Sequence, residues 1–275
     1  MARCVSQILC FCLRHILRYR FVIIEKNIKQ AFPASSASEV GKMVSAYYRH
    51  ISDLCIEPIL FYTAPASLRK SLTTFENTCV LDDLYRLRRN VVLLASHYGN
   101  WEYLINLPSQ TAYTVSSGYS PAKNKVVDRL LRRIRSRFGV NLIPKHLLYR
   151  RSIELLQQND RRNIVVLIAD QRPAPDSRKH RLTFLGLETD VQIGAERMAR
   201  HTNAAVVMVE SMKVTRFKYH YRFELLGDQP VDAAYSLAIT TTYFKRLENS
   251  IRSSPVYWLW SHDRWKDRNQ PSTKA

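Results

Sequence analysis

Two titratable residues five positions apart, His97 and Glu102 in the segment His97-Tyr98-Gly99-Asn100-Trp101-Glu102, carry the best case for chemistry in this chain. An imidazole with an ordinary pKa near 6.5 is mostly neutral at pH 7 and can take a proton from a hydroxyl, and a carboxylate can fix its tautomer and steady the cation that forms. Helical geometry alone would keep them apart, because five residues of one α-helix turn roughly 500° and leave the two side chains about 140° out of line. They meet only if His97 sits on a turn and Glu102 on the element that follows. That is the base and orienting acid of a serine hydrolase without the serine, a place that a substrate hydroxyl could fill.

The flanking residues supply such a turn. Val91 to Ala95 is a run of apolar, mostly branched residues, which reads as a strand buried on both faces and stopping at Ser96-His97. Gly99 follows as a turn residue, and Asn100 is placed to cap a helix starting at Trp101, with Glu102 in its first turn.

Around this segment the sequence predicts alternating elements. Strands are expected at 111–116, 141–144, 164–169 and 204–211, with helices at 123–138, 148–158 and 194–201, an edge strand at 219–226 and a closing helix at 235–253. Upstream, Ser38-Glu39 opens a helix that Glu57-Pro58 bends or ends, residues 63–76 are a looser stretch, and 81–88 is a short helix. Such alternation predicts an α/β fold with a mostly parallel central sheet flanked by helices. In open sheets of this kind the working crevice lies beyond the carboxyl ends of the strands. Asp170, like His97, directly follows a buried strand, so parallel neighbours would turn both residues toward one crevice.

Composition narrows the partners. Forty-two Lys and Arg against 23 Asp and Glu give a net charge of +19, which favours acidic partners: nucleic acid, anionic lipid or an acidic protein. Five cysteines with no CxxC pair are no disulfide framework, and scattered histidines without HExxH imply no metal site. Seven glycines, none in a GxGxxG or GxxxxGK pattern, give no support to nucleotide binding. No cofactor is expected. Residues 1–32 alternate short apolar runs with bases such as Arg14, Arg18 and Arg20, which suits either an amphipathic helix on a membrane surface or a packed surface helix. The apolar run is much too short to span a bilayer, which takes about 20 residues.

The His97-x4-Glu102 motif resembles the signature of the bacterial lipid A biosynthesis acyltransferases, the lauroyl and myristoyl transferases of the lysophospholipid acyltransferase superfamily. Further blocks resemble the family in order: Tyr119-Ser120-Pro121 with Asn124, Arg135-Ser136-Arg137-Phe138-Gly139, Ile168-Ala169-Asp170-Gln171, Phe184-Leu185-Gly186, and Trp258-Leu259-Trp260-Ser261-His262 with Trp265-Lys266. The resemblance implies a glycerol-3-phosphate acyltransferase-like domain over 33–266, a polar tail at 267–275, and transfer of a fatty acyl chain from acyl carrier protein to a hydroxyl of a lipid A precursor. His97 and Glu102 would be catalytic, and Arg135, Asp170, Asn100, Tyr119 and Asn124 would bind substrate. Arg135 would hold a phosphate or support the oxyanion.

The implied setting is the cytoplasmic face of the bacterial inner membrane. The family usually has a longer apolar front end, so this chain is held by its surface alone or its start is incomplete. Ser120 and Asp263 stand where the family more often has bases, and both bear on the acceptor. The same chemistry on another acceptor, a lyso-aminolipid or a glycolipid, and a non-catalytic basic nucleic-acid- or membrane-binding protein are the rival readings, with no nucleic acid expected.

Overall fold

The structure, a computed structural model, describes residues 2–121, 124–174, 180–228 and 237–266. The chain forms two compact units, each assembled from separated segments: 1–60, 170–192 and 248–275 in the first, 61–169 and 193–247 in the second.

The second unit is built on a seven-stranded sheet. Its strands are β1 (Thr73–Glu76), β2 (Val91–Ala95), β3 (Thr114–Tyr119), β4 (Asn141–Pro144), β5 (Asn163–Ile168), β8 (Ala205–Thr215) and β9 (Lys218–Gly227), in the order β1-β9-β8-β2-β5-β3-β4. All the ladders are parallel except β8 with β9. All five residues of β2 are buried, as expected for a central strand covered on both faces. Helices α4 (Ala66–Leu72), α5 (Cys79–Arg86), α6 (Lys125–Ser136), α7 (Leu148–Leu156) and α8 (Gly194–Thr202) pack on the strands. The predicted α/β class with a mostly parallel sheet is therefore what forms.

Register is fixed at the base of the central strands by one amide. Asn90 donates from Nδ2 to the carbonyls of Leu156 (2.7 Å) and Gln158 (3.2 Å), while its Oδ1 accepts from the Asn163 N–H at 2.8 Å. The end of α7 and the starts of β2 and β5 are thereby tied together. A one-residue slip would turn every side chain of β2 to the opposite face and leave these buried groups unpaired.

Four local expectations need correction. The strand at 218–227 is not an edge, because β1 pairs outside it, from Thr73 opposite Tyr219 to Glu76 opposite Arg222. Those four residues lay in the stretch read as a loop and are too few to show a period. Helix α3 (Ala37–Thr63) does not end at Pro58 but continues through it, without the N–H that a proline lacks. It opens earlier than Ser38: Ser36 and Glu39 form a capping box, the Ser36 N–H and hydroxyl donating to Glu39 Oε2 at 2.7 and 2.8 Å, bonds that hold the Glu39 carboxyl below its ordinary pKa. Strand β3 begins at Thr114 rather than 111. The closing helix α9 is described over Ala238–Ser253, and the expected start at 235, like the first residue of the helix expected at 123 and the tail at 267–275, lies outside the described residues.

The first unit contains α1 (Ala2–Phe11), a π-turn (Cys12–Ile16), α2 (Phe21–Ala31), α3 up to residue 60, and the hairpin of β6 (Arg181–Phe184) and β7 (Leu187–Asp190). Leu185 and Gly186 both have positive φ (55° and 75°), the backbone twist a two-residue hairpin turn requires. Trp258, Trp260 and Trp265 are core rather than interface. All are under 5 % exposed, Trp258 packs edge-on to Trp260 and Phe184, and each indole N–H has an acceptor.

Leu93→Ala at the centre of β2 should cost about 2–5 kcal/mol, because the leucine is fully buried and neighbours on a central strand cannot close the gap. Urea unfolding is the check, and a loss under 1 kcal/mol would show that β2 is not the packed centre of the sheet.

Candidate active site

The end of β2 is pinned before the chain turns. The Ala95 carbonyl accepts from the Ala169 N–H at 3.2 Å and from the Tyr243 hydroxyl of α9 at 2.8 Å. Ser96 and His97 therefore leave the sheet from a fixed point. Gly99 follows with φ +67°, and a Cβ there would lie 2.4 Å from Ser211 Oγ and 2.8 Å from the Ser211 carbonyl oxygen. Only glycine fits on both counts.

Asn100 completes the turn. It is wholly buried, its N–H donates to Ser211 Oγ (3.1 Å), its Oδ1 accepts from the Tyr103 N–H (3.0 Å), and its carbonyl accepts from the Tyr221 hydroxyl (2.5 Å). The expected cap is present, in the bond from the Tyr103 N–H to Oδ1. The helix it opens is 3-10, Glu102–Gln110, with Pro108 inside it, a residue without the N–H that an α-helical turn would use.

His97, Trp101, Glu102 and Arg135 line one cavity of about 330 Å³ in the second unit. The size lies at the small end of ligand pockets, about 300–1,000 Å³. His97 packs edge-on against Trp101, ring centroids 4.7 Å apart. Both oxygens of Glu102 accept from Arg135, Oε2 from Nε at 3.2 Å and Oε1 from Nη2 at 2.9 Å, with each side chain about a quarter exposed. Glu102 was expected to orient the imidazole; its carboxylate is held by the Arg135 guanidinium.

The remaining wall is mostly apolar. Val115, Val140, Leu142, Val166, Ile168, Leu104 and Ile105 line it, joined by Ser117, Gly118, Tyr119 and Ser120. Strand register explains the set: Leu93, Val166, Ser117 and Leu142 are successive partners across β2, β5, β3 and β4, so they share one face. Because these strands are parallel, Ile168, Tyr119 and His97 all lie at their carboxyl ends. A polar mouth with an apolar wall suits a ligand with one reacting polar end and a hydrocarbon body.

The other expected residues are distributed as follows. Tyr119 lines the cavity, with the Arg132 guanidinium 5.9 Å from its ring centroid. Asn124 is exposed at the start of α6, where its Oδ1 accepts from the Val126 N–H at 2.9 Å. Asp170 follows β5, which is the parallel neighbour of β2 as expected, but the residue belongs to the first unit, 1 % exposed, with Oδ2 accepting from Trp258 Nε1 at 2.8 Å. Of the expected residues, His97, Glu102, Arg135 and Tyr119 line the cavity. Trp101 and Ser117 were missed. Period-two alternation along β3 could have found Ser117, whereas the Trp101 contact depends on the turn. Among the described residues, no group of three or more His, Cys, Asp or Glu could hold a metal ion.

Fold and site together define an α/β protein with an imidazole and a carboxylate at the mouth of an apolar pocket on the carboxyl edge of a parallel sheet. The chain belongs to the bacterial lipid A biosynthesis acyltransferases, whose family model matches residues 1–267. No curated protein matches it.

Gly99→Ala should destabilise the protein by roughly 1–2 kcal/mol for the left-handed backbone, plus about 1–3 kcal/mol for the collision with Ser211. The thermal midpoint should fall together with whatever activity depends on His97. An unchanged midpoint would show that the turn is looser than this packing implies.

Proposed function

We propose that the chain transfers a fatty acyl group from acyl carrier protein to a hydroxyl of a lipid A precursor, as a late acylation step in lipopolysaccharide synthesis, at the cytoplasmic face of the bacterial inner membrane. The family supports acyl transfer in lipid A biosynthesis. One observation carries the mechanism: His97 and Glu102 open onto a single pocket whose wall is apolar.

In this reading His97 takes the proton from the acceptor hydroxyl as its oxygen attacks the thioester carbonyl. The tetrahedral intermediate collapses, the C–S bond breaks, and the imidazolium returns the proton to the departing thiolate. The acceptor attacks directly, so no acyl-enzyme forms. Glu102 supplies negative charge at the mouth that favours the transient imidazolium. The acyl chain lies against Val166, Ile168, Leu104 and Leu142, where burial contributes about 0.8 kcal/mol per methylene.

The membrane part of the reading rests on the N-terminal helices. Ile8, Ile16, Leu17 and Val22 are each 65–74 % exposed, interspersed with Arg14, Arg18 and Arg20, while Ser6 faces inward and donates to Asp53 at 2.6 Å. An exposed apolar strip rimmed by bases suits the boundary between headgroups and acyl chains. No helix among the described residues is long and apolar enough to cross a membrane.

His97→Ala should lower transfer of radiolabelled acyl chains by about 10²- to 10⁴-fold with the fold retained. Undiminished transfer removes His97 as the base. The product is checked by mass spectrometry of lipid A from cells with and without the protein, where an unchanged acylation pattern would point to another acceptor. Washing membranes in 1 M salt, where the Debye length falls to about 3 Å, should leave the protein bound if apolar insertion holds it. Full release would mean that charge alone does.

A further inference from the structure

We propose that Arg135 is a positioning residue that acts through Glu102, rather than a ligand for an anion on the substrate. The inference rests on the acyl-transfer reading above and concerns the same site. Its basis is the fork already described: two adjacent guanidinium donors meet two carboxylate oxygens, which fixes the plane of the Glu102 carboxylate as well as its charge. The fork takes two of the five guanidinium N–H donors and turns the Nε edge toward Glu102, so the orientation of the guanidinium is set by the carboxylate rather than by an incoming anion.

The surroundings indicate that the pair is built to persist. Tyr103, next in sequence to Glu102, and Phe138, three residues beyond Arg135, both pack on the ring of Phe61, with centroids 4.7 and 5.4 Å away. Phe61 and Tyr103 are fully buried. Arg137 adds a second tie to the same place, donating to the Tyr62 carbonyl at 3.2 Å with its guanidinium 4.7 Å from the Tyr62 ring centroid. The 3-10 helix that carries Glu102 and the end of α6 that carries Arg135 are thus fastened to one aromatic anchor. Their separation is set by packing before any ligand arrives, which is the arrangement that preorganised catalytic groups require.

The other bases of α6 contrast with this. Lys125, Arg129, Arg132 and Arg133 are exposed on the surface of the helix. Among the described basic side chains of α6, it is Arg135 that lines the pocket.

A double-mutant cycle tests the assignment. Arg135→Met, Glu102→Gln and the double variant are assayed for transfer from acyl carrier protein to the lipid A precursor, with kcat and the acceptor KM measured separately. Arg135→Met should lower kcat by on the order of a hundredfold, with the acceptor KM within about twofold of wild type. The double variant should be no slower than the slower single one, because removing the fork costs nothing further once the carboxylate has gone. Arg135→Lys keeps the charge and loses the fork, so it should recover only part of kcat.

Multiplying effects in the cycle, or a raised acceptor KM with kcat preserved, would overturn the proposal and return Arg135 to substrate binding. Thermal midpoints of all variants separate loss of fold from loss of function. His97→Ala in the same assay keeps the two readings distinct. Full transfer without the imidazole would sink the base assignment, whereas multiplying effects with His97→Ala inactive would sink only the role given to Arg135.

Discussion

Parallel pairing of β2 with β5, and of β5 with β3, is the constraint from which the site follows. Strands that run the same way end on the same edge, so Ala95, Ile168 and Tyr119 finish together although about 70 residues of chain separate the first from the second. Residues placed just beyond those ends meet without any local interaction between them. The pairing is maintained by the burial of β2 on both faces and by the Asn90 amide at the opposite edge, neither of which touches the pocket. Stability and chemistry are divided between the two ends of the same strands.

Within that frame the groups that line the pocket are held by different means. His97 sits on a turn that tolerates almost no variation, because Gly99 lies against Ser211 and Asn100 is bonded through its N–H, its carbonyl and its Oδ1. Glu102 comes from a 3-10 helix with a proline inside it and Arg135 from the end of an α-helix, and the two depend on one aromatic anchor for their spacing. A strained turn and a packed ring achieve the same end. Each removes conformations that would separate the imidazole from the carboxylate.

The legibility of the sequence followed the length over which each signal was spread. Val91 to Ala95 is apolar throughout, and a strand of that kind can only be central, so the sheet and the position of His97 were readable. The Asn100 cap was readable because an Asn between a glycine turn and an apolar segment has few other uses. The destinations of its backbone N–H and carbonyl were not: nothing in the sequence near Asn100 announces Ser211 or Tyr221, more than 100 residues away. Glu102 illustrates the same limit. Its proximity to His97 along the chain suggested an imidazole partner, but carboxylate partners are chosen in space, and the guanidinium that reaches it comes from 33 positions downstream. Strand β1 escaped because four residues cannot establish a period, and its strand character comes from β9.

The charge of the chain takes on a more specific meaning once the pairs are located. Many of its arginines are spent in short ion pairs on the surface, such as Arg150 and Arg151 with Glu154 or Arg246 with Glu224, which contribute little individually to stability. Arg135 and Glu102 are different in being only a quarter exposed, so their attraction is less screened and their geometry more tightly held. A carboxylate neutralised by such a partner exerts less pull on a nearby imidazolium than an unpaired one would. It also cannot drift, because two donors hold it. In the acyl transfer proposed above, a moderated and fixed negative charge complements the positive charge that forms only as the hydroxyl gives up its proton, which is the kind of preorganisation that favours a transition state over the ground state.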